Sequence, residues 1–175
     1  MTQASPPTAS YRILVMGVSG SGKSHVGRLL ARRLGADFID GDDHHSAANV
    51  AKMARGIPLT DDDRRGWLDT LAGRFADYRR RDASVVIACS ALKARYRGRL
   101  RRGDPELRIL YLGGERALLR ERLGSRRGHF FKGDAMLASQ LADLEPPGPD
   151  EARVANIAES PEAIVEAFVA ALGQG

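Results

Sequence analysis

Residues 13–24 read ILVMGVSGSGKS, an apolar run that breaks into Gly17-Val18-Ser19-Gly20-Ser21-Gly22-Lys23-Ser24. The spacing is that of a phosphate-binding loop. Glycines at Gly17, Gly20 and Gly22 let the backbone curl so that its N–H groups point inward at phosphate oxygens, where side chains would obstruct them. Lys23 then reaches the β- and γ-phosphates of a nucleotide, and the Ser24 hydroxyl is placed to ligate Mg²⁺. Such a loop needs a strand before it and a helix after it. Arg12 to Met16 supplies the strand, and Val26, Leu29, Leu30 and Leu34 repeat at helical spacing up to a capping Gly35.

Four further apolar segments read as buried strands: Asp37 to Asp40, Ser84 to Cys89, Leu107 to Leu112 and, with a weaker pattern, Arg153 to Ile157. Strands alternating with helical patterns predict an α/β fold, a five-stranded parallel sheet with helices on both faces and ligands at the carboxyl ends of the strands. A long helix is expected over Leu59 to Arg81, with Thr60 as N-cap and Asp61, Asp62 and Asp63 in its first turn, where acids stabilise it through the helix dipole. The last helix is framed by Ser160, Pro161 and Gly173.

A chain of 175 residues, 43% hydrophobic and 28% charged, suits one globular domain. It contains no apolar run near the roughly 20 residues a membrane span requires. Residues 1–10 carry no signal-peptide pattern and read as a disordered leader before a single domain over 11–175. The one cysteine, Cys89, fits a reducing cytoplasmic setting. A net charge of +5 raises nucleic acid as a partner. The arginines, however, are dispersed among acids without aromatic interleaving, so solvated helix faces and a pocket for small anions account for them better.

Phosphoryl transfer needs a clamp on the donor, a metal, a group that handles the attacking oxygen, and cations for the developing charge. Lys23 and the loop form the clamp. Asp40 ends the second strand and Asp42 follows. In an extended chain both carboxylates project the same way, Asp40 to the metal shared with Ser24 and Asp42 to an acceptor hydroxyl. The bland alternative is that Asp40-Gly41-Asp42 is simply a turn, which Asp and Gly favour. The segment 41–67 is rich in His, Asp, Lys and Arg and reads as an acceptor-binding excursion. Residues 124–133, GSRRGHFFKG, read as a lid that brings Arg126 and Arg127 to the transferring group, with Arg122 just before it. His129 in that stretch is either a substrate contact or a packing residue. No Asn-Lys-x-Asp element points to a GTP switch. The strand ending in Cys89-Ser90 lacks the acidic pair of ring ATPases.

The combination resembles the gluconate kinases, small P-loop kinases related to shikimate and nucleoside monophosphate kinases. The likeness is carried by GVSGSGKS, by DGDDHHSAANVAKMARGIPLTDDDRRGWL from Asp40, by CSALKARYR over 89–97, and by RRGHFF followed by Gln140 and LEPP. It implies ATP-dependent phosphorylation of D-gluconate on its 6-hydroxyl in a cytoplasmic homodimer. It also implies a site drawn from Asp42, His45, Lys52, Arg64, Ser90, Lys93, His129 and Gln140, with Arg122 against the adenine. A kinase for shikimate or a nucleoside monophosphate is the neighbouring reading, and a nucleotide-dependent binding module the non-enzymatic one. Ser46 and Gly66 stand where the family has prolines, and both are expected to loosen the acceptor segment.

Overall fold

The computed structural model describes residues 9–124 and 130–173. Its order is β1 (Arg12–Met16), α1 (Lys23–Leu34), β2 (Asp37–Asp40), a 3-10 turn (Gly41–His44), α2 (Ala47–Ala54), α3 (Asp61–Arg80), β3 (Val85–Ala88), α4 (Ala94–Leu100), β4 (Arg108–Gly113), α5 (Arg116–Gly124), α6 (Phe130–Asp143), β5 (Arg153–Asn156) and α7 (Pro161–Leu172). The five strands form one parallel sheet in the order β2-β3-β1-β4-β5. The expected strands stand within a residue or two of their predicted ends. β5, one of the two edge strands, gave the faintest sequence pattern, and its residues are the least buried, with Val154 52% exposed.

β1 lies at the centre, and its side chains alternate between two cores. Ile13 and Val15 face a cluster with α1, α7 and the leucines Leu119, Leu123 and Leu137, while Leu14 and Met16 face one built by α3 and α4 around Leu68, Leu71 and Phe75. Each fully buried Leu or Phe contributes about 2 kcal/mol of transfer free energy. α1 begins at Gly22, whose φ of +87° favours glycine, and ends at Gly35, whose N–H reaches back to Ala31 and Arg32. α3 opens with a capping box: Thr60 Oγ1 accepts from the Asp63 N–H and the Asp63 carboxylate accepts from the Thr60 N–H.

Two expectations change here. The chain after Asp40 is not extended. It turns at once into the 3-10 segment, because the Asp40 carboxylate accepts the Asp42 N–H at 3.1 Å. Ser46 does not loosen its segment either. Its hydroxyl accepts the Asn49 N–H at 3.1 Å and caps α2, fixing the helix start. Gly66 sits exposed inside α3, where it costs about 1 kcal/mol of helix propensity relative to alanine. Residues 130–133 of the expected lid form the start of α6, whereas 125–129 lie outside the described residues. The leader is likewise outside them through residue 8, yet Ser10 already bonds Asp82 at 2.5 Å, so packed structure begins before Tyr11. Among the described residues no helix is long and apolar enough to cross a membrane.

Candidate active site

The carboxyl ends of β1, β2 and β3 converge on one region. β1 delivers the loop Gly17 to Ser24, β2 delivers Asp40, and β3 delivers Cys89 and Ser90. The loop is a cradle in the steric sense, since a Cβ on Gly17 would meet Ser21 Oγ at 2.6 Å and the Leu112 carbonyl at 2.9 Å. Ser21 Oγ is buried without a hydrogen-bond partner among the described residues, a polar atom left for a ligand. Lys23 opens α1, so the helix N-terminus and the lysine act on the same anion.

Asp40 is the hinge of the site. One carboxylate oxygen accepts from Ser24 Oγ at 3.0 Å and the other from the Asp42 backbone N–H at 3.1 Å. Ser24 and Asp40 therefore offer adjacent hard oxygen donors, which suit Mg²⁺. Among the described residues no group of three or more His, Cys, Asp or Glu is arranged to hold a metal. Gly41 must be glycine on space alone: a Cβ there would lie 2.6 Å from the Ala88 carbonyl. Its own carbonyl accepts the Trp67 indole N–H at 2.7 Å, tying the turn to α3.

The segment expected to bind an acceptor packs with α4 into a wall made by α2, α3 and α4. His45 stacks on Trp67 with ring centroids 4.0 Å apart. Arg64 donates to the Tyr96 hydroxyl at 2.9 Å, the same hydroxyl donates to Asp61, and Lys93 Nζ lies 3.7 Å from Asp61. Tyr96 is the residue that sequence reading missed. Its place one helical turn after Lys93 was the available signal. Asp61 is more than a helix-end acid, because it receives α4 through Tyr96, Arg95 and Lys93. Cys89 is buried at the end of β3, and desolvation pushes its thiol pKa up to about 12, which disfavours the thiolate.

Lys52 and Gln140 stand elsewhere than expected. The Lys52 ammonium is committed to both oxygens of Asp63, at 2.8 and 3.0 Å, which makes it a strut between α2 and α3. Gln140, on α6, accepts the Ser19 N–H at 2.6 Å and donates to Ser19 Oγ at 3.0 Å, so it belongs to the phosphate loop and not to the acceptor wall. Arg122 donates to the Ile157 carbonyl at 2.6 Å beside a cleft lined by Gly22, His25, Val26, Ile157 and Pro161, next to the loop. Arg126, Arg127 and His129 lie outside the described residues.

The Lys52 hydrogen bond, followed by that from the Thr60 N–H, holds the Asp63 carboxyl down at about 2 against its ordinary 3.8. A lowered carboxylate pKa stabilises the fold above the ordinary value and stops doing so as pH falls through the lowered one. Asp63→Asn is therefore expected to lower the urea midpoint at pH 7 and to leave it nearly unchanged at pH 2. An equal loss at both would contradict the ion-pair account.

An AAA domain family model matches residues 13–147. The thermoresistant gluconokinase of Escherichia coli (strain K12) is 43% identical over 164 residues, 93% of each chain. The chain belongs to the gluconokinase family. A crystal structure of a gluconokinase from Sinorhizobium meliloti 1021 is 42% identical with a TM-score of 0.84, covering 94% of this chain and 92% of that one. An unliganded sugar kinase from Janibacter sp. HTCC2649 is 41% identical with a TM-score of 0.86, covering 94% and 95%.

Proposed function

We propose that this protein transfers the γ-phosphoryl group of ATP to the 6-hydroxyl of D-gluconate, giving 6-phospho-D-gluconate and ADP. Membership of the gluconokinase family supports the reaction, and one observation of geometry carries it: Asp40 touches Ser24 with one oxygen and Asp42 with the other. On this reading Asp40 links the nucleotide side to the acceptor side.

Lys23 and the loop amides hold the donor phosphates, with Gln140 bracing Ser19. Ser24 and Asp40 would hold Mg²⁺, whose charge offsets that of the phosphate oxygens when it is bound. Asp42, exposed at the turn, orients the acceptor hydroxyl and takes its proton as that oxygen bonds to phosphorus and the bond to the bridging oxygen of ADP breaks. Gluconate is an anionic polyol. Arg64, held by Tyr96, offers a fixed cation for its carboxylate, and His45, Ser90 and Lys93 offer partners for its hydroxyls. Arg122 lines the nucleotide cleft, and Arg126, Arg127 and His129 complete the proposal as groups brought in from 125–129. A cytoplasmic homodimer belongs to the same reading, on the family resemblance.

Purified protein with Mg·ATP is expected to release ADP on addition of gluconate and not of shikimate or AMP. Turnover with shikimate or AMP alone would replace this reading, and no acceptor-dependent turnover at all would favour a binding module.

A further inference from the structure

Asn49 is buried, 4% exposed, at the first turn of α2, and nothing in the phosphoryl-transfer account uses it. Its side-chain amide faces two acceptors. One is the Asp63 main-chain carbonyl at 2.8 Å, and the other is His45 Nδ1 at 3.3 Å. A carbonyl oxygen only accepts, so the amide atom facing it is the nitrogen, and that settles the orientation of the group. The second N–H on that nitrogen then points at His45 Nδ1, which must present its lone pair. A proton on Nδ1 would set donor against donor.

The imidazole is fixed in other respects too. It lies on the Trp67 ring, 19° from parallel, and Trp67 is itself anchored through its indole N–H to the Gly41 carbonyl. The ring plane is set by the stack and the ring's rotation by Asn49. Nδ1 and Nε2 point in different directions around an imidazole, so with Nδ1 engaged by Asn49 the Nε2–H is the donor that remains. The charges acting on the ring are Asp42, which favours the imidazolium, and Arg64, which opposes it. Burial is larger than either and moves the pKa below its ordinary 6.5.

We infer that Asn49 is a positioning residue that holds His45 as the neutral Nε2–H tautomer, giving the acceptor wall one uncharged hydrogen-bond donor between Asp42 and Arg64. This rests on the proposed acceptor site. Its chemical consequence is selectivity: a neutral donor suits an acceptor hydroxyl or carboxylate oxygen without competing with Asp42 for the proton that must move. An imidazolium beside Asp42 would pair with that carboxylate and blunt it as a base.

The test begins with a readout that needs no substrate. Long-range ¹H–¹⁵N correlation on histidine-labelled protein, with His45 assigned by its loss in His45→Phe, is expected to give a single neutral Nε2–H tautomer in the wild type. Asn49→Leu should mix the tautomers, whereas Thr60→Ala, which weakens the α3 cap without touching His45, should not. A wild-type Nδ1–H tautomer overturns the inference, as does an Asn49→Leu protein whose tautomer is unchanged. If Asn49→Leu does not fold, the wild-type tautomer alone decides. Kinetics then test the donor. His45→Phe keeps a ring on Trp67 but no donor and should raise the KM for gluconate about tenfold at unchanged KM for ATP, and His45→Gln should recover part of it. An unchanged KM for gluconate in His45→Phe overturns the donor role. Absence of gluconate turnover in the wild type would instead sink the function proposed above and leave the tautomer result standing.

Discussion

Asp42→Asn is expected to lower kcat by about 10³-fold while changing ATP affinity less than about twofold. The substitution keeps the size of the side chain and leaves the Asp42 N–H on Asp40, so the Asp40 to Ser24 contact survives it. What it removes is the carboxylate that accepts the acceptor's proton. A positioned general base is worth about 10² to 10⁴ in rate, and the effect should fall on kcat because the base acts in the transition state. Asp40→Asn makes the contrast. It replaces one of the two oxygens that accept, one each, from Ser24 and from the Asp42 N–H, so nucleotide binding and turnover should suffer together. Steady-state kinetics with calorimetric titration of the nucleotide separates the two. Retention of more than a tenth of the wild-type kcat in Asp42→Asn would remove Asp42 from the proton's path.

The donor half was legible in the sequence because its chemistry is local. Gly17 to Ser24 are contiguous, their conformation follows from glycine and a following helix, and the strand before them is apolar on both faces since both faces are covered. Asp40 was legible for the same reason, as the last residue of a strand whose end faces the loop. The chain after it reads either as extended, with paired carboxylates, or as an Asp-Gly turn, and the carboxylate that bonds the N–H two residues on competes with extension and decides for the turn. The acceptor wall was legible only as composition. Lys52 was placed on the substrate with the other polar groups of the resemblance, as one of the cations that could meet a carboxylate. Its partner Asp63 is 11 residues away and becomes its neighbour only when α2 folds back on α3. Gln140 and Ser19 are 121 residues apart, and no spacing rule connects them. Tyr96 was overlooked because a phenol is silent in a search for charges, although its hydroxyl joins Asp61 to Arg64.

Arg97→Met is expected to be the most damaging substitution for stability among those that leave the polar groups of the site in place. The guanidinium is 1% exposed, and its five N–H groups are matched by five bonds: two to the Glu151 carboxylate, at 2.9 and 3.3 Å, and one each to the carbonyls of Ala91, Leu92 and Glu145, at 2.9, 3.1 and 2.9 Å. Methionine fills similar space and makes none of them. Removing one partner of a buried ion pair costs about 3 to 5 kcal/mol, and the low end applies here because Glu151 is a quarter exposed and retains Arg101 at 2.8 Å. For a chain of this size about 3 kcal/mol lowers Tm by roughly 6 to 12 °C. The damage should also reach the site. Ala91 is held at a φ of +46°, a strained conformation for alanine, in the loop that carries Ser90 and Lys93, and Arg97 is what its carbonyl bonds to. With that bond gone the loop can relax toward ordinary angles, so KM for the acceptor should rise more than KM for ATP even at temperatures where the variant is folded. Glu151→Gln is the milder change: it keeps one acceptor oxygen for Arg97 while removing the charge and the second acceptor, and should cost less than Arg97→Met, about 1 to 2 kcal/mol. A Tm drop below about 2 °C in Arg97→Met would mean that the loop holds its shape without the arginine.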